Sequence, residues 1–202
     1  MIDQFVTLVP VPAAAYCRQL HQTYGFVFRV VRPRRTRLGD FRVLPTGQTQ
    51  ITVNADLNPW GCLITYVHEV AHAHVHRYRR RRTAPHGPAW QQAFQQLMQP
   101  LLTEDIFPVA ILEPLQQYLQ KPAATTYAHP AMMTALRAHE LQPTDNAAAK
   151  RVLLRDVREG TTFIINKKKF VRGTLRRTRV VCKELASGKS YAVLAHAWVE
   201  TV

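Results

Sequence analysis

Two histidines and a glutamate in the middle of the chain have the types and spacing needed to hold and use a metal ion. His68, Glu69 and His72 form the pattern H-E-x-x-H, which in a helix places both histidines on one face about one turn apart. The two imidazoles can then bind one metal ion. Glu69 lies beside that ion, where its carboxylate can take a proton from water. The spacing therefore indicates a hydrolytic metal site with Glu69 as the catalytic residue.

A hydrolytic zinc site needs a third protein ligand and an open fourth position. His74 points about 200° around the helix from the second ligand, and His76 lies about 12 Å along the axis from His68, too far for one ion. Two candidates remain, His86 and Glu104. We favour His86 because it lies in a turn containing Pro and Gly just beyond the helix, where the chain can return over the metal.

The elements that must position these residues are predicted by the sequence pattern. A long helix is expected from Asn58, a good N-cap, to about Arg82, and another begins at Pro88. Further helices are predicted over 12–23, 109–119, 131–141 and 147–157. Three short strands precede the long helix, and we expect them to form a small antiparallel sheet; they cover 26–31, 41–44 and 51–53.

The H-E-V-A-H segment at 68–72, followed by H-G-P-A-W at 86–90, resembles the SprT-like family of zinc metallopeptidases, which includes the Spartan-type proteases. The resemblance implies an α+β fold, in which a small zincin-like metalloprotease domain packs helices on a short antiparallel sheet. It implies one zinc ion bound by His68, His72 and His86, with Glu69 as general base. It also implies hydrolysis of proteins that are crosslinked to DNA.

The C-terminal region is predicted to be an antiparallel β-ribbon. Its short strands are expected over 163–165, 169–171, 178–182, 191–194 and 197–199. Many SprT-like proteins carry a zinc ribbon here, but this region has Cys182 as its single cysteine. We therefore expect a ribbon without metal, held together by the aromatic residues Phe163, Phe170, Tyr191 and Trp198. The predicted domains are a metallopeptidase domain, a helical linker and the basic ribbon, over 1–120, 121–159 and 160–202.

Positive charge is concentrated in two parts of this 202-residue chain, whose net charge is +14. Residues 1–82 hold 12 basic and 4 acidic side chains, residues 83–149 hold 2 and 5, and residues 150–202 hold 13 and 4. Such basic regions favour a polyanionic partner. We expect DNA, single-stranded DNA included, to contact two clusters: Arg79, Arg80, Arg81 and Arg82, and Lys167, Lys168, Lys169, Arg176, Arg177 and Arg179.

Composition argues against several other classes of protein. No stretch approaches the roughly 20 apolar residues of a membrane-spanning helix, the N-terminal residues do not resemble a secretory signal, and three well-separated cysteines do not form a disulfide scaffold. Nothing indicates a nucleotide cofactor. We expect a cytoplasmic, nucleoid-associated bacterial enzyme that hydrolyses protein substrates at DNA with one zinc ion. The alternative is a DNA-binding module with a structural or latent zinc site and little protease activity.

Overall fold

The computed structural model of the chain describes residues 4–34, 37–78, 83–124, 129–138, 151–165, 167–176, 179–195 and 197–201. The chain divides into two units, Met1–Leu136 and Arg137–Val202. Its helices and largely antiparallel sheets confirm the predicted α+β class. Among the described residues, no helix is long and apolar enough to cross a membrane.

Three strands of the first unit form a mixed sheet in the order β1-β3-β2. They are β1 (Val27–Val31), β2 (Gly39–Val43) and β3 (Thr49–Asn54). β2 is antiparallel to β3 as predicted, but β1 runs parallel to β3, so the prediction of a wholly antiparallel sheet was wrong. The reason is the path of the chain from β1 to β2, which crosses the end of β3. There the Asn54 side chain donates hydrogen bonds to the carbonyls of Arg34 and Arg37.

The described residues of the chain form six α-helices. They are α1 (Gln4–Leu8), α2 (Val11–Tyr24), α3 (Pro59–Tyr78), α4 (Pro88–Met98), α5 (Val109–Gln120) and α6 (Pro130–Ala138). Of the six, α3 packs directly on this sheet. The last five confirm predicted helices. α1 was not predicted, because five residues are too short to show a helical period. The predicted ends of α3 over 79–82 and of α6 over 139–141 lie outside the described residues.

Helix α3 forms the centre of the first unit. Asn58 caps it as predicted, since its Oδ1 atom accepts a hydrogen bond from the Gly61 amide at 2.7 Å. Almost every residue of α3 from Gly61 to Ala73 is buried, between the sheet on one side and helices α2 and α4 on others. Such a helix is held by packing around its whole circumference, so the metal-binding motif stands on a rigid support.

The second unit is a six-stranded antiparallel sheet in the order β4-β9-β5-β6-β7-β8. Its strands are β4 (Arg151–Leu153), β5 (Thr162–Ile165), β6 (Lys168–Arg176), β7 (Arg179–Glu184), β8 (Ser190–Leu194) and β9 (Trp198–Thr201). The helix predicted over 147–157 was wrong from residue 151 onward, because β4 pairs with β9 and this long-range pairing outweighs a local helical pattern. Residues 147–150 lie outside the described part of the chain.

Candidate metal centre

The first two histidines of the motif project from one face of α3 into a shared cleft. His68 is buried and His72 is partly buried, and their ring centroids lie 5.2 Å apart. This is the arrangement that a spacing of four residues produces in an α-helix. The two rings therefore leave room for a third ligand on the side that faces away from α3.

His86 supplies the third imidazole from the turn between α3 and α4. The Gly87 amide donates a hydrogen bond to the Ala84 carbonyl, which closes the turn. Pro88 is the first residue of α4. The Nε2 atom of His86 consequently lies 3.2 Å from Nε2 of His68 and 3.1 Å from Nε2 of His72. The three ring nitrogens thus converge on one point.

This arrangement fits a zinc ion. Zinc–nitrogen bonds of 2.0–2.1 Å in a tetrahedral site place the ligand nitrogens about 3.3 Å apart, close to the separations observed. Within the described ranges, the three histidines are the only group of three or more His, Cys, Asp or Glu side chains placed to hold a metal. Three imidazoles that leave a fourth position free are one of the ligand sets that catalytic zinc sites use.

Burial keeps the three imidazoles neutral. Desolvation, together with the neighbouring histidines, lowers the pKa of His68 to about 3 and that of His72 to about 4. Desolvation also lowers the pKa of His86. Neutral imidazoles offer a free electron pair, which a metal ion requires of its ligands.

Trp90 supports all three ligands from the first turn of α4. Its ring centroid lies 4.5 Å from that of His68, 5.5 Å from that of His72 and 4.7 Å from that of His86. The indole is fully buried and donates a hydrogen bond to the His68 carbonyl at 3.3 Å. Trp90 therefore fixes the position of α4 relative to the ligands of α3.

Glu69 lies beside the histidines, buried beneath strand β2. Its side chain is 6% exposed and accepts a hydrogen bond from the Phe41 amide. Burial raises the pKa of Glu69 to about 8, and the negative charge of Asp40 acts in the same direction. The charges of Arg34 and Arg37 and the hydrogen bond from the Phe41 amide lower the pKa in part. The carboxyl group is thus held at a fixed position in an environment that makes it a stronger base than a surface glutamate.

The cleft above these residues has a volume of about 460 Å³. One wall comes from β2 and the residues before it, with Arg37 and Asp40 forming an ion pair of 2.6 Å at the rim. The Phe41 ring lies parallel to that of His72 at 6.3 Å. The opposite wall includes Pro85 and Ala124. The cleft thus brings the three histidines, Glu69 and the residues of β2 around one space.

The other residues considered as a third metal ligand lie outside the group of three histidines. Glu104 is exposed and outside the ligand group. His74 forms a hydrogen bond with the Tyr24 hydroxyl at 2.8 Å, and His76 is exposed beside Phe41. The geometry therefore decides between the two candidate third ligands in favour of His86.

The residues predicted to contact nucleic acid have mixed placements. Arg79, Arg80, Arg81, Arg82 and Arg177 lie outside the described residues. Lys167, Lys169, Arg176 and Arg179 are exposed. Lys168 forms an ion pair of 2.8 Å with the buried carboxylate of Glu184, which also accepts a hydrogen bond from the Tyr191 hydroxyl. Lys168 thus has a structural partner within the second unit, while the four exposed side chains are accessible to a polyanion.

Sequence reasoning missed the part that β2 plays in the site. A Cβ atom at Gly39 would lie 2.6 Å from Oε1 of Glu69, so only glycine lets the strand lie this close to the carboxylate. The signal in the sequence was a single glycine before a short strand, which marks a close backbone approach but does not say to what.

A family model matches the part of the chain that carries the site. The family model described as the SprT-like family matches residues 28–111, a segment that runs from β1 into α5 and contains all three histidines and Glu69. No curated protein and no solved structure matches the chain.

Proposed function

Because residues 28–111 of this chain belong to the SprT-like family, we propose that the protein is a zinc-dependent metallopeptidase of the zincin-like H-E-x-x-H type that acts on proteins at DNA. The observation that carries the proposal is the convergence of three imidazole nitrogens beside one buried carboxylate. This combination is more than a structural zinc site needs, since a structural site closes its fourth position with another protein ligand.

Each residue of the site has a role in peptide hydrolysis. His68, His72 and His86 would hold zinc. When bound, zinc supplies a positive charge that polarises a carbonyl, acidifies water and favours the ionised form of Glu69. Glu69 takes the proton of the attacking water and passes it to the leaving amine nitrogen. The Phe41 amide keeps the Glu69 carboxylate in place during both transfers.

Two tyrosines of α3 do not face the cleft and so do not stabilise a developing oxyanion. Tyr66 is fully buried, and its hydroxyl donates a hydrogen bond to the Cys17 carbonyl at 2.9 Å, so it does not face the cleft. Tyr78 lies at the end of α3 with its ring against His74, on the face of the helix that carries neither ligand.

The DNA part of the proposal rests on charge. The chain carries a net charge of +14, and Lys167, Lys169, Arg176 and Arg179 are exposed on the sheet of the second unit. Exposed cations of this density bind phosphates and release counterions. We propose that the second unit is a metal-free ribbon that brings a cytoplasmic, nucleoid-associated protease to proteins crosslinked to DNA.

The test of this function is metal-dependent cleavage. We expect the purified protein with one zinc ion per chain to cut a protein substrate or itself, faster with single-stranded DNA than without. Removal of zinc by a chelator should stop cleavage, and added zinc should restore it. Cleavage that survives chelation would exclude the zinc mechanism. A zinc-loaded protein that binds DNA but cuts nothing would instead support the DNA-binding module with a latent site.

A further inference from the structure

The sheet of the first unit has a second face, which carries none of the three histidines. Side chains alternate along β3, so that Ile51 and Val53 enter the hydrophobic core while Gln50, Thr52 and Asn54 point to the opposite face. These three polar side chains are nevertheless buried, with exposures of 3%, 4% and 3%. Something polar must therefore cover them.

Arginines from the flanking segments lie over this polar row. The Arg42 Nε atom donates to the Gln50 side chain at 2.9 Å, and the Arg34 Nε atom donates to the Asn54 side chain at 3.0 Å. Arg29 lies on β1 directly beside Thr52. We call this surface the arginine face; it consists of Arg29, Arg34, Arg42, Gln50, Thr52 and Asn54.

The charge of the arginine face is not compensated. Asp40 lies opposite Thr52 on β2, but its carboxylate is already paired with Arg37. Arg29 and Arg42 are exposed, and Arg29 forms no ion pair with any residue that the structure describes. Arg34 also acts electrostatically on Glu69, but none of the three guanidinium groups forms an ion pair with a described residue.

Two buried atoms on this face have no partner among the described residues. Nη2 of Arg34 and Oγ1 of Thr52 form no hydrogen bond with any of those residues, and both are shielded from solvent. Unsatisfied buried polar atoms are rare and costly. Arg34 thus keeps one guanidinium nitrogen without a described acceptor, and its hydrogen bond to Asn54 does not use all of its donors.

We infer that the arginine face binds the phosphate backbone of a nucleic-acid strand. Guanidinium groups bind phosphate through paired N–H donors, and those of Arg29 and Arg42 are exposed to make such contacts. The described strands place only Val27 and Val31 as apolar side chains on this face, both partly buried, and none of the aromatic residues that a membrane-binding surface would use. The arginine face lies close to the metal site through β2. Arg42 of this strand lies on the arginine face, whereas Gly39 and Phe41 lie on the other face, against the metal site.

A strand bound to the arginine face therefore lies one β-strand away from the cleft. This inference extends the proposed function, since it names a DNA contact within the metallopeptidase unit itself. It does not depend on hydrolysis, because binding is measured whether or not the protein cuts a substrate. It is also separate from the lysines and arginines of the second unit, which belong to another part of the chain.

The experiment measures how the affinity of the whole protein for a labelled single-stranded oligonucleotide depends on salt. The logarithm of the binding constant falls linearly with the logarithm of the salt concentration, and each lost phosphate contact reduces the magnitude of that slope by about 0.7 for a single strand. We expect a decrease of about 0.7 in Arg29→Gln and of about 2 when Arg34→Gln and Arg42→Gln are added. The matched control for Arg29→Gln removes one exposed positive charge elsewhere in the same unit, at Lys121, and should keep the slope.

If the triple variant does not fold, the single variant Arg29→Gln is sufficient for the test. It should fold, because Arg29 is exposed and forms no ion pair with a described residue. An unchanged slope in Arg29→Gln, or an equal decrease in the control variant, would overturn the inference. So would displacement of the oligonucleotide by polyglutamate at equal charge, which would point to an acidic protein instead. Wild-type protein that fails to bind the oligonucleotide at low salt would overturn it as well, whatever the outcome of the cleavage assay.

Discussion

Glu69→Gln is expected to lower the rate of peptide cleavage by about a thousandfold, within the range of 10²–10⁴ typical of a general acid–base residue. The amide has nearly the volume of the carboxyl group and can still accept the hydrogen bond of the Phe41 amide, so the buried position should tolerate it. It cannot take a proton from water. Zinc should remain at one ion per chain, because Glu69 is not among the three ligands.

The measurement is cleavage of a protein substrate beside the zinc content of the same samples. Glu104→Gln is the matched control, since Glu104 is exposed and outside the ligand group, and it should cut at the wild-type rate. A Glu69→Gln variant that cuts within fivefold of the wild type would refute the assignment of the general base. Loss of zinc from that variant would assign Glu69 a role in binding the metal.

Gly39→Ala is expected to reduce kcat by about a hundredfold while zinc binding is retained. The new methyl group would lie 2.6 Å from Oε1 of Glu69, 2.7 Å from Cγ2 of Thr65 and 2.8 Å from Cγ of Glu69. Either β2 or the carboxylate must move, and a displacement of about 1 Å can cost a hundredfold in rate. The crowding should also lower the free energy of unfolding by about 1–3 kcal/mol.

Gly61→Ala is the control for this variant. Gly61 lies in the first turn of α3, where a Cβ atom would meet only side-chain atoms, the nearest being Oδ1 of Asn58 at 3.2 Å. We expect it to cut normally. The discriminating measurement is kcat separated from KM, with zinc content determined in parallel. If Gly39→Ala keeps its kcat within twofold, β2 does not position Glu69.

The metal site could be predicted from the sequence because its parts are local. The spacing of His68 and His72 defines a helical face, Asn58 marks the start of that helix, and the turn at Pro85 brings back the third imidazole. Each signal depends on residues that are neighbours along the chain. The structure brings the three nitrogens together as these signals require.

The remainder of the site depends on contacts between distant segments, which local patterns do not reveal. Whether β1 would pair with β2 or with β3 was not decided by their composition, and the observed order depends on a chain crossing held by Asn54. The contact between Gly39 and Glu69 spans thirty positions in the sequence and follows from that order. The same holds for β4, which becomes a strand only because β9 lies beside it.

The central claim is that three imidazoles hold one zinc ion, and it is tested most directly by zinc titration of the wild-type protein and of His86→Ala. We expect one zinc ion per wild-type chain. In His86→Ala the affinity for zinc should fall by more than about a hundredfold. A residue that only supports a ligand costs at most about that much when it is lost. A His86→Ala variant that keeps one zinc ion with unchanged affinity would contradict the account, because the turn between α3 and α4 would then supply no ligand.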